Sequence, residues 1–195
     1  MVTVEEVARS LRGAAALVSR RPDALAAFDV SATGLTRSFL AFVFTIPALV
    51  VALALERRGM GLSVEGLAVF DHARLVLSVS LAHLASLAAL QVVMAFVLRG
   101  GPFASRYAAF AIATNWIAVF GSLAVSVPAA LYLMGLEPPG VVALLTLAFA
   151  VIVLEAQWFA AKLTLGVGSG VAGGIAVLGL ALQFVVHGLS DVIGG

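Results

Sequence analysis

Cysteine and charge are the two features that this sequence has least of. It contains no cysteine, which excludes disulfides, thiolate nucleophiles, iron–sulfur clusters and cysteine zinc sites. Only 11% of the residues are charged, against roughly 25% in a soluble protein. The net charge of +1 gives no electrostatic reason to expect a nucleic-acid partner.

Apolar residues, in contrast, make up 63% of the chain. A globule of 195 residues does not have enough interior to hide that much apolar surface from water. The mean hydropathy of +1.16 points the same way. We therefore expect the lipid bilayer to be the solvent for most of the chain, and its first partner.

Five apolar segments are long enough to cross a bilayer, which takes about 20 helical residues. They lie near residues 38–55, 72–98, 107–135, 140–163 and 168–190, and glycine and proline mark the breaks between them. Strands are not expected, since the segments lack alternation. The predicted fold is an all-α transmembrane bundle of five spanning helices over 38–195, preceded by a cytoplasmic amphipathic segment over 1–37.

The N-terminal segment has a helical pattern with one apolar face. That face consists of Val4, Val7, Leu11, Ala14, Ala15 and Val18. Thr3 followed by Glu6 predicts a capping box, and Pro22 predicts the first turn of a second short helix. We expect the first helix to lie on the membrane surface; the alternative is that it packs on loops of the same protein.

Positive charge predicts the orientation of the spans. Eight of the eleven lysines and arginines fall on the side of the N-terminus if the helices alternate. The N-terminus is therefore expected in the cytoplasm and the C-terminus outside. The alanine-, arginine- and valine-rich composition is typical of a bacterial protein, so we expect the inner membrane.

Glu155 stands in the apolar run VIVLEAQWFAAKL, where a charge is costly. Asn115 lies at a similar predicted depth on the third helix, and we predict a hydrogen bond between them. His83 and Gln183 share a depth nearer the other side, and we predict a second bond there. His187 lies on the same helical face as Gln183. Helical spacing also groups His72, His83 and Ser86 on the second helix, and Asn115, Ser122 and Ser126 on the third.

Proline and glycine inside the segments suggest kinks and close contacts. Pro47 and Pro128 are expected to kink the first and third spans. Gly166, Gly170 and Gly174 recur every four residues, which permits close helix packing within the bundle or between two copies. The same region matches G-x-G-x-x-G, but it follows an apolar helix rather than a strand, so nucleotide binding is not expected.

The stretch that leads into the first span, FDVSATGLTRSF, resembles the D-L-Y-G-P motif that opens the first helix in the Yip family of small five-helix membrane proteins. Asp29 and Gly34 are the comparable residues. The layout over residues 30–195 also resembles that family, which implies a protein without catalytic activity that acts through partners in membrane organisation.

Two functions remain open from the sequence. We expect a non-catalytic scaffold or accessory subunit that contacts other membrane proteins or itself. The alternative is a small proton-coupled transporter or channel that uses Glu155 and His83. No serine-hydrolase or zinc-protease motif is present, and we expect no catalytic residue, metal or cofactor. A continuous polar cavity would favour the transporter, and a fully packed bundle would favour the scaffold.

Overall fold

The computed structural model describes residues 3–59, 69–136 and 138–194. These residues form seven α-helices and no strand. The helices are α1 (Val4–Val18), α2 (Ala32–Leu40), α3 (Ile46–Gly59), α4 (Val69–Leu98), α5 (Tyr107–Leu133), α6 (Pro139–Leu165) and α7 (Ser169–Gly194). The prediction of an all-α bundle is confirmed.

Within the described residues, five stretches are long and apolar enough to cross a membrane, as predicted. They are Ala32–Gly59, His72–Leu98, Ala104–Leu133, Pro139–Leu165 and Ser169–Leu189. The first begins six residues earlier than expected, because α2 and α3 are joined through the 3₁₀ turn Ala41–Thr45. Pro47 follows this turn at the second position of α3, where its missing N–H is tolerated. Pro128 lies buried inside α5.

The spans form a closed ring in the order α3, α5, α6, α7, α4. Each helix packs on its two neighbours in that order, and α4 closes the ring against α3. Short connections set part of the arrangement: α6 ends at Gly166, whose positive φ of 67° reverses the chain, and α7 begins three residues later.

Helix α1 packs on the ring through one face and leaves its other face exposed, and its expected position on the membrane surface stays a prediction. Ala14 and Leu17 are fully buried, in a cluster with Ile117 of α5 and Ala160 of α6. The buried face is rotated from the predicted one, because Ser10 and Gly13 are buried while Val4 and Ala15 are exposed. The helix therefore contacts the spanning helices α5 and α6 and also the connecting 3₁₀ segment Pro22–Ala27, which agrees in part with the alternative prediction.

Polar contacts fix both ends of the N-terminal segment. The Thr3 side chain accepts a hydrogen bond from the Glu6 backbone N–H at 3.2 Å, which confirms the predicted cap. The Glu6 carboxylate instead pairs with Arg37 of α2 at 3.1 Å. The second short helix is the 3₁₀ segment Pro22–Ala27, with Pro22 in its first turn as predicted.

Gly34 lies where the backbone of α2 meets the preceding loop. A Cβ atom at this position would collide with the backbone carbonyl of Asp29. Ser31 caps α2, since its hydroxyl accepts from the Gly34 N–H at 3.1 Å. The two residues that carry the family resemblance, Asp29 and Gly34, are therefore in direct contact.

Aromatic residues and cations pair near both ends of the ring. At the end next to α1, Lys162 lies 5.3 Å from the Trp158 ring. At the other end, Arg58 lies 4.3 Å from the Tyr132 ring and donates to the Tyr132 carbonyl at 3.0 Å. Such pairs are typical of the two membrane–water interfaces.

Candidate functional site

The ring of spans encloses a cavity of about 400 Å³, within the range of small-molecule pockets. All five spans contribute to its wall, which is mostly alanine, valine, leucine and glycine. Polar groups interrupt this wall, and among them are His83, Gln91, Thr114, Ser122, Gln157 and His187. The two histidines are the titratable groups of the wall, and no Asp, Glu, Lys or Arg among the described residues belongs to it.

The polar groups of the cavity wall lie at two levels along the helix axes, one at Gln91 and one at His83. At the first level, the Gln91 side-chain amide lies 3.4 Å from the Thr114 hydroxyl, and a Cβ at Gly179 would lie 3.1 Å from Leu90. His83 precedes Gln91 by eight residues, which is about 12 Å along α4. Because α7 runs antiparallel to α4, His187 lies at the level of His83.

The cavity ends at a packed cluster on the side of the first level. Met94 and Leu98 of α4 meet Phe110 of α5 and Leu165 of α6 there, all buried. Ala172 of α7 completes the cluster and is fully buried. This cluster separates the cavity from the end of the ring at which α5 begins and α6 ends.

The opposite side of the cavity is less enclosed. Its wall continues to Leu55 and Ala129, each four residues before the end of its helix. Gln183 and His187 belong to the wall and are nevertheless exposed. The cavity therefore reaches the surface of the ring beside the C-terminal half of α7.

Two buried polar atoms at the wall lack a hydrogen-bond partner among the described residues. They are the Gln91 Oε1 atom and the Ser86 hydroxyl oxygen. Gln91 is only 3% exposed, so its unpaired oxygen carries a desolvation cost of about 1–3 kcal/mol. Each atom has less than 1 Å² of accessible surface, so both are covered by side chains of the wall rather than open to the cavity.

The predicted bond between His83 and Gln183 is wrong, although both residues line the cavity. His83 Nε2 lies 2.9 Å from the Thr45 hydroxyl, because the 3₁₀ turn places Thr45 against α4. The backbone carbonyl of Gln183 accepts a hydrogen bond from Nδ1 of His187 at 2.8 Å. That contact stays within one helical turn.

The predicted bond between Asn115 and Glu155 is also wrong. Asn115 is fully buried, and its amide donates to the Ser38 hydroxyl at 2.9 Å. Ser38 is a buried residue of α2, and α2 packs on α5. Asn115 lies outside the cavity wall, unlike Ser122 and Ser126 of the same predicted stripe. On α4, Ser86 lines the cavity with His83, whereas His72 does not.

Glu155 forms an ion pair with Arg20, at 2.6 Å between Arg20 Nη2 and Glu155 Oε2. Both side chains are about half exposed, at 53% and 52%. Glu155 therefore faces the outside of the ring, next to the N-terminal segment, and not the cavity. Arg20 is the only non-glycine residue with a positive φ (55°) in the described chain, and it ends α1 in the left-handed conformation.

The three predicted packing glycines do not act together. Gly166 caps α6, and the Arg106 guanidinium lies against it and donates to the Leu165 carbonyl. A cation is favourable at this C-terminal end of a helix. A Cβ atom added at Gly170 or Gly174 would meet no described residue within 4 Å, so packing within the bundle is wrong for both.

Four polar residues of the structure were outside the sequence prediction. Gln91, Thr114 and Gln157 line the cavity, and Arg20 pairs with Glu155. The sequence could have indicated Gln91 and Gln157, because a side-chain amide inside an apolar run is costly without a hydrogen-bond partner. Nothing in the sequence indicates that Arg20 pairs with Glu155, since 135 positions separate the two residues.

Fold and site together indicate a multi-pass membrane protein with a central cavity. Among the described residues there is no group of three or more His, Cys, Asp or Glu side chains that could hold a metal ion. Comparison with protein-family models, curated proteins and solved structures finds no match for this chain. The resemblance to the Yip family therefore stays a prediction.

Proposed function

We propose that this protein is a membrane-embedded carrier or receptor that binds a small uncharged molecule in its central cavity. The observation that carries the proposal is the cavity itself, of about 400 Å³ and walled by all five spans. A bundle that served only as a scaffold would gain stability by filling this space.

Only one of the two residues predicted for a proton-coupled transporter lies at the cavity. His83 lies at the cavity wall and is the titratable candidate for coupling to protons. Glu155 is outside the wall and engaged with Arg20. A proton route through both residues is not supported by this arrangement.

Two alanines of α3 provide a matched test. Ala52 lines the cavity and Ala54 does not, while both are half-buried. We expect wild-type protein, purified gently in lipid nanodiscs, to carry a co-purified small molecule that mass spectrometry detects. Ala52→Phe should lose that molecule and Ala54→Phe should retain it. Equal retention by the two variants, or an empty wild type, would contradict the proposal.

Transport is tested separately from binding. In proteoliposomes loaded with the molecule so identified, flux is expected to stop in Ala52→Phe and to persist in Glu155→Gln. Loss of flux in Glu155→Gln with intact flux in Ala52→Phe would move the route away from the cavity.

The location that we propose is the inner membrane of a bacterium, with α1 on the cytoplasmic side. The distribution of lysine and arginine supports this orientation. Reporter fusions placed before Thr3 and after Gly194 should fall on opposite sides of the membrane. Fusions that report the same side would contradict five crossings.

The scaffold remains a second candidate, favoured by one observation. Gly170 and Gly174 lie on the same face of α7 with open space in front of them, so another helix can approach closely there. Gly170→Leu with Gly174→Leu should then abolish self-association or partner co-elution. A complex that survives both substitutions would remove this candidate.

A further inference from the structure

The two histidines of the cavity wall are held in opposite tautomers. Thr45 has one hydroxyl proton, and its shorter contact, 2.7 Å to the Phe42 carbonyl, takes that proton. The Thr45 oxygen is then an acceptor, so Nε2 of His83 must donate to it across 2.9 Å. In a neutral imidazole this leaves Nδ1 of His83 as an acceptor.

His187 follows the same reasoning with the nitrogens exchanged. Its Nδ1 lies 2.8 Å from the Gln183 carbonyl, which can only accept. Nδ1 therefore carries the proton, and Nε2 of the neutral ring is an acceptor. Since His187 and His83 lie at one level of the wall, two nitrogen lone pairs are available at that level.

The first level of the wall, that of Gln91 and Thr114, carries an acceptor as well. The Thr114 hydroxyl donates to the Phe110 carbonyl at 2.8 Å, so it accepts from the Gln91 amide N–H. This places Oε1 of Gln91 on the other side of the amide, buried and without a partner among the described residues. The two levels are about 12 Å apart along α4. Because Oε1 has less than 1 Å² of accessible surface, it meets a ligand only when the Gln91 side chain turns towards the cavity.

We propose that the cavity binds an uncharged, elongated, mainly apolar molecule that carries O–H or N–H donors. These donors pair with Nδ1 of His83 and Nε2 of His187 at one level, and with Oε1 of Gln91 at the other. The apolar wall between the levels matches an apolar body, and the lack of Asp, Glu, Lys and Arg among the described wall residues disfavours ions. This inference rests on the proposed function.

The ligand enters from the bilayer, beside the C-terminal half of α7. Gln183 and His187 are exposed there while lining the cavity, and Phe184, the next residue of α7, is 71% exposed. The surface around the opening is therefore apolar and suited to lipid. A molecule dissolved in the bilayer reaches the wall without crossing water.

The test uses three biphenyl probes that differ only in donor capacity: 4-phenylphenol, its methyl ether and biphenyl. Binding is measured by equilibrium dialysis against protein in phosphatidylcholine nanodiscs, with empty nanodiscs subtracted. We expect 4-phenylphenol to bind at least tenfold more tightly than the ether or biphenyl. The single hydroxyl of 4-phenylphenol can pair at either level, so the double variant His187→Phe with Gln91→Leu should reduce that ratio severalfold. Glu155→Gln, outside the wall, should keep it.

The outcomes separate this inference from the proposed function. Equal binding of the three probes that disappears in Ala52→Phe would overturn donor selection and leave the cavity as a binding site. No saturable binding of any probe would count against both. Independently, ¹⁵N chemical shifts of labelled histidine should show His83 as the Nε2–H and His187 as the Nδ1–H tautomer. The reverse assignment would overturn the inference.

Discussion

The half of the ring next to α1 and the half farther from it are built from the same helices but differ in what fills the space between them. Next to α1, the interior is closed by large side chains such as Phe110, Ile117 and Leu165, all at most 1% exposed. Farther away, alanine, glycine and serine leave a cavity. One bundle therefore combines a tightly packed base with an open chamber, which suggests that stability and ligand binding are assigned to different ends.

The largest expected effect comes from truncating a side chain in each half. Phe110→Ala should lower the free energy of unfolding by about 3–5 kcal/mol, because the packed cluster cannot refill the space. Leu87→Ala, at the wall of an existing cavity, should cost about 2 kcal/mol. Unfolding in mixed detergent micelles measures both. Similar losses would mean that the two halves do not differ in packing.

The next comparison is between a glycine in a close backbone contact and a glycine with open space around it. Gly34→Ala should destabilise by about 1–3 kcal/mol, since the new methyl group meets the Asp29 carbonyl. Gly174→Ala, with open space around it, should stabilise α7 by up to about 1 kcal/mol. Both changes are read from the same unfolding titration. If Gly34→Ala is as stable as the wild type, the contact between α2 and the preceding loop is not as close as described.

A smaller effect is expected at the ion pair that ties α1 to α6. Arg20 and Glu155 are half exposed, so their coupling in a double-mutant cycle of Arg20→Gln and Glu155→Gln should be at most about 1 kcal/mol. Arg20→Gly should cost less than Arg20→Gln, because glycine relieves the positive φ. A coupling near zero would show that this ion pair does not hold α1 in place.

The smallest effect concerns pH. The Ser31 side chain and backbone N–H hydrogen-bond to the Asp29 carboxylate and hold its pKa below the ordinary value of 3.8. This interaction therefore stabilises the fold above about pH 3.8 and is lost as pH falls through the lowered pKa. Acid unfolding of Asp29→Asn should be slightly less pH-dependent than that of the wild type. An unchanged profile would contradict a role for Asp29.

The spans were predictable because bilayer thickness sets their length and apolar composition marks them directly. His83, Ser122 and Gln183 were correctly singled out as polar residues inside the spans, and all three line the cavity. Their partners were not predictable. Depth matched Asn115 with Glu155 on two neighbouring helices, but the rotation of each helix about its own axis decides which side chains meet. Asn115 faces Ser38 of α2, and Glu155 faces Arg20 outside the ring.

The N-terminal segment shows a second limit of pattern reasoning. An amphipathic helix has the same apolar stripe whether lipid or protein covers it. Ala14 and Leu17 are covered by α5 and α6, a choice that depends on small residues such as Ala160 at the contact. The Arg20–Glu155 pair follows from that docking and has no local signature.

The order of helices around the ring also has a consequence for biosynthesis. The fifth span, α7, lies between α6 and α4, so the first four spans to leave the ribosome surround the cavity with one wall missing. During that interval Gln91 and Ser86 face either lipid or water admitted through the gap. Insertion of α7 is therefore the step that completes the wall of the cavity, and a chaperone or insertase that protects the unfinished wall would bind on this side.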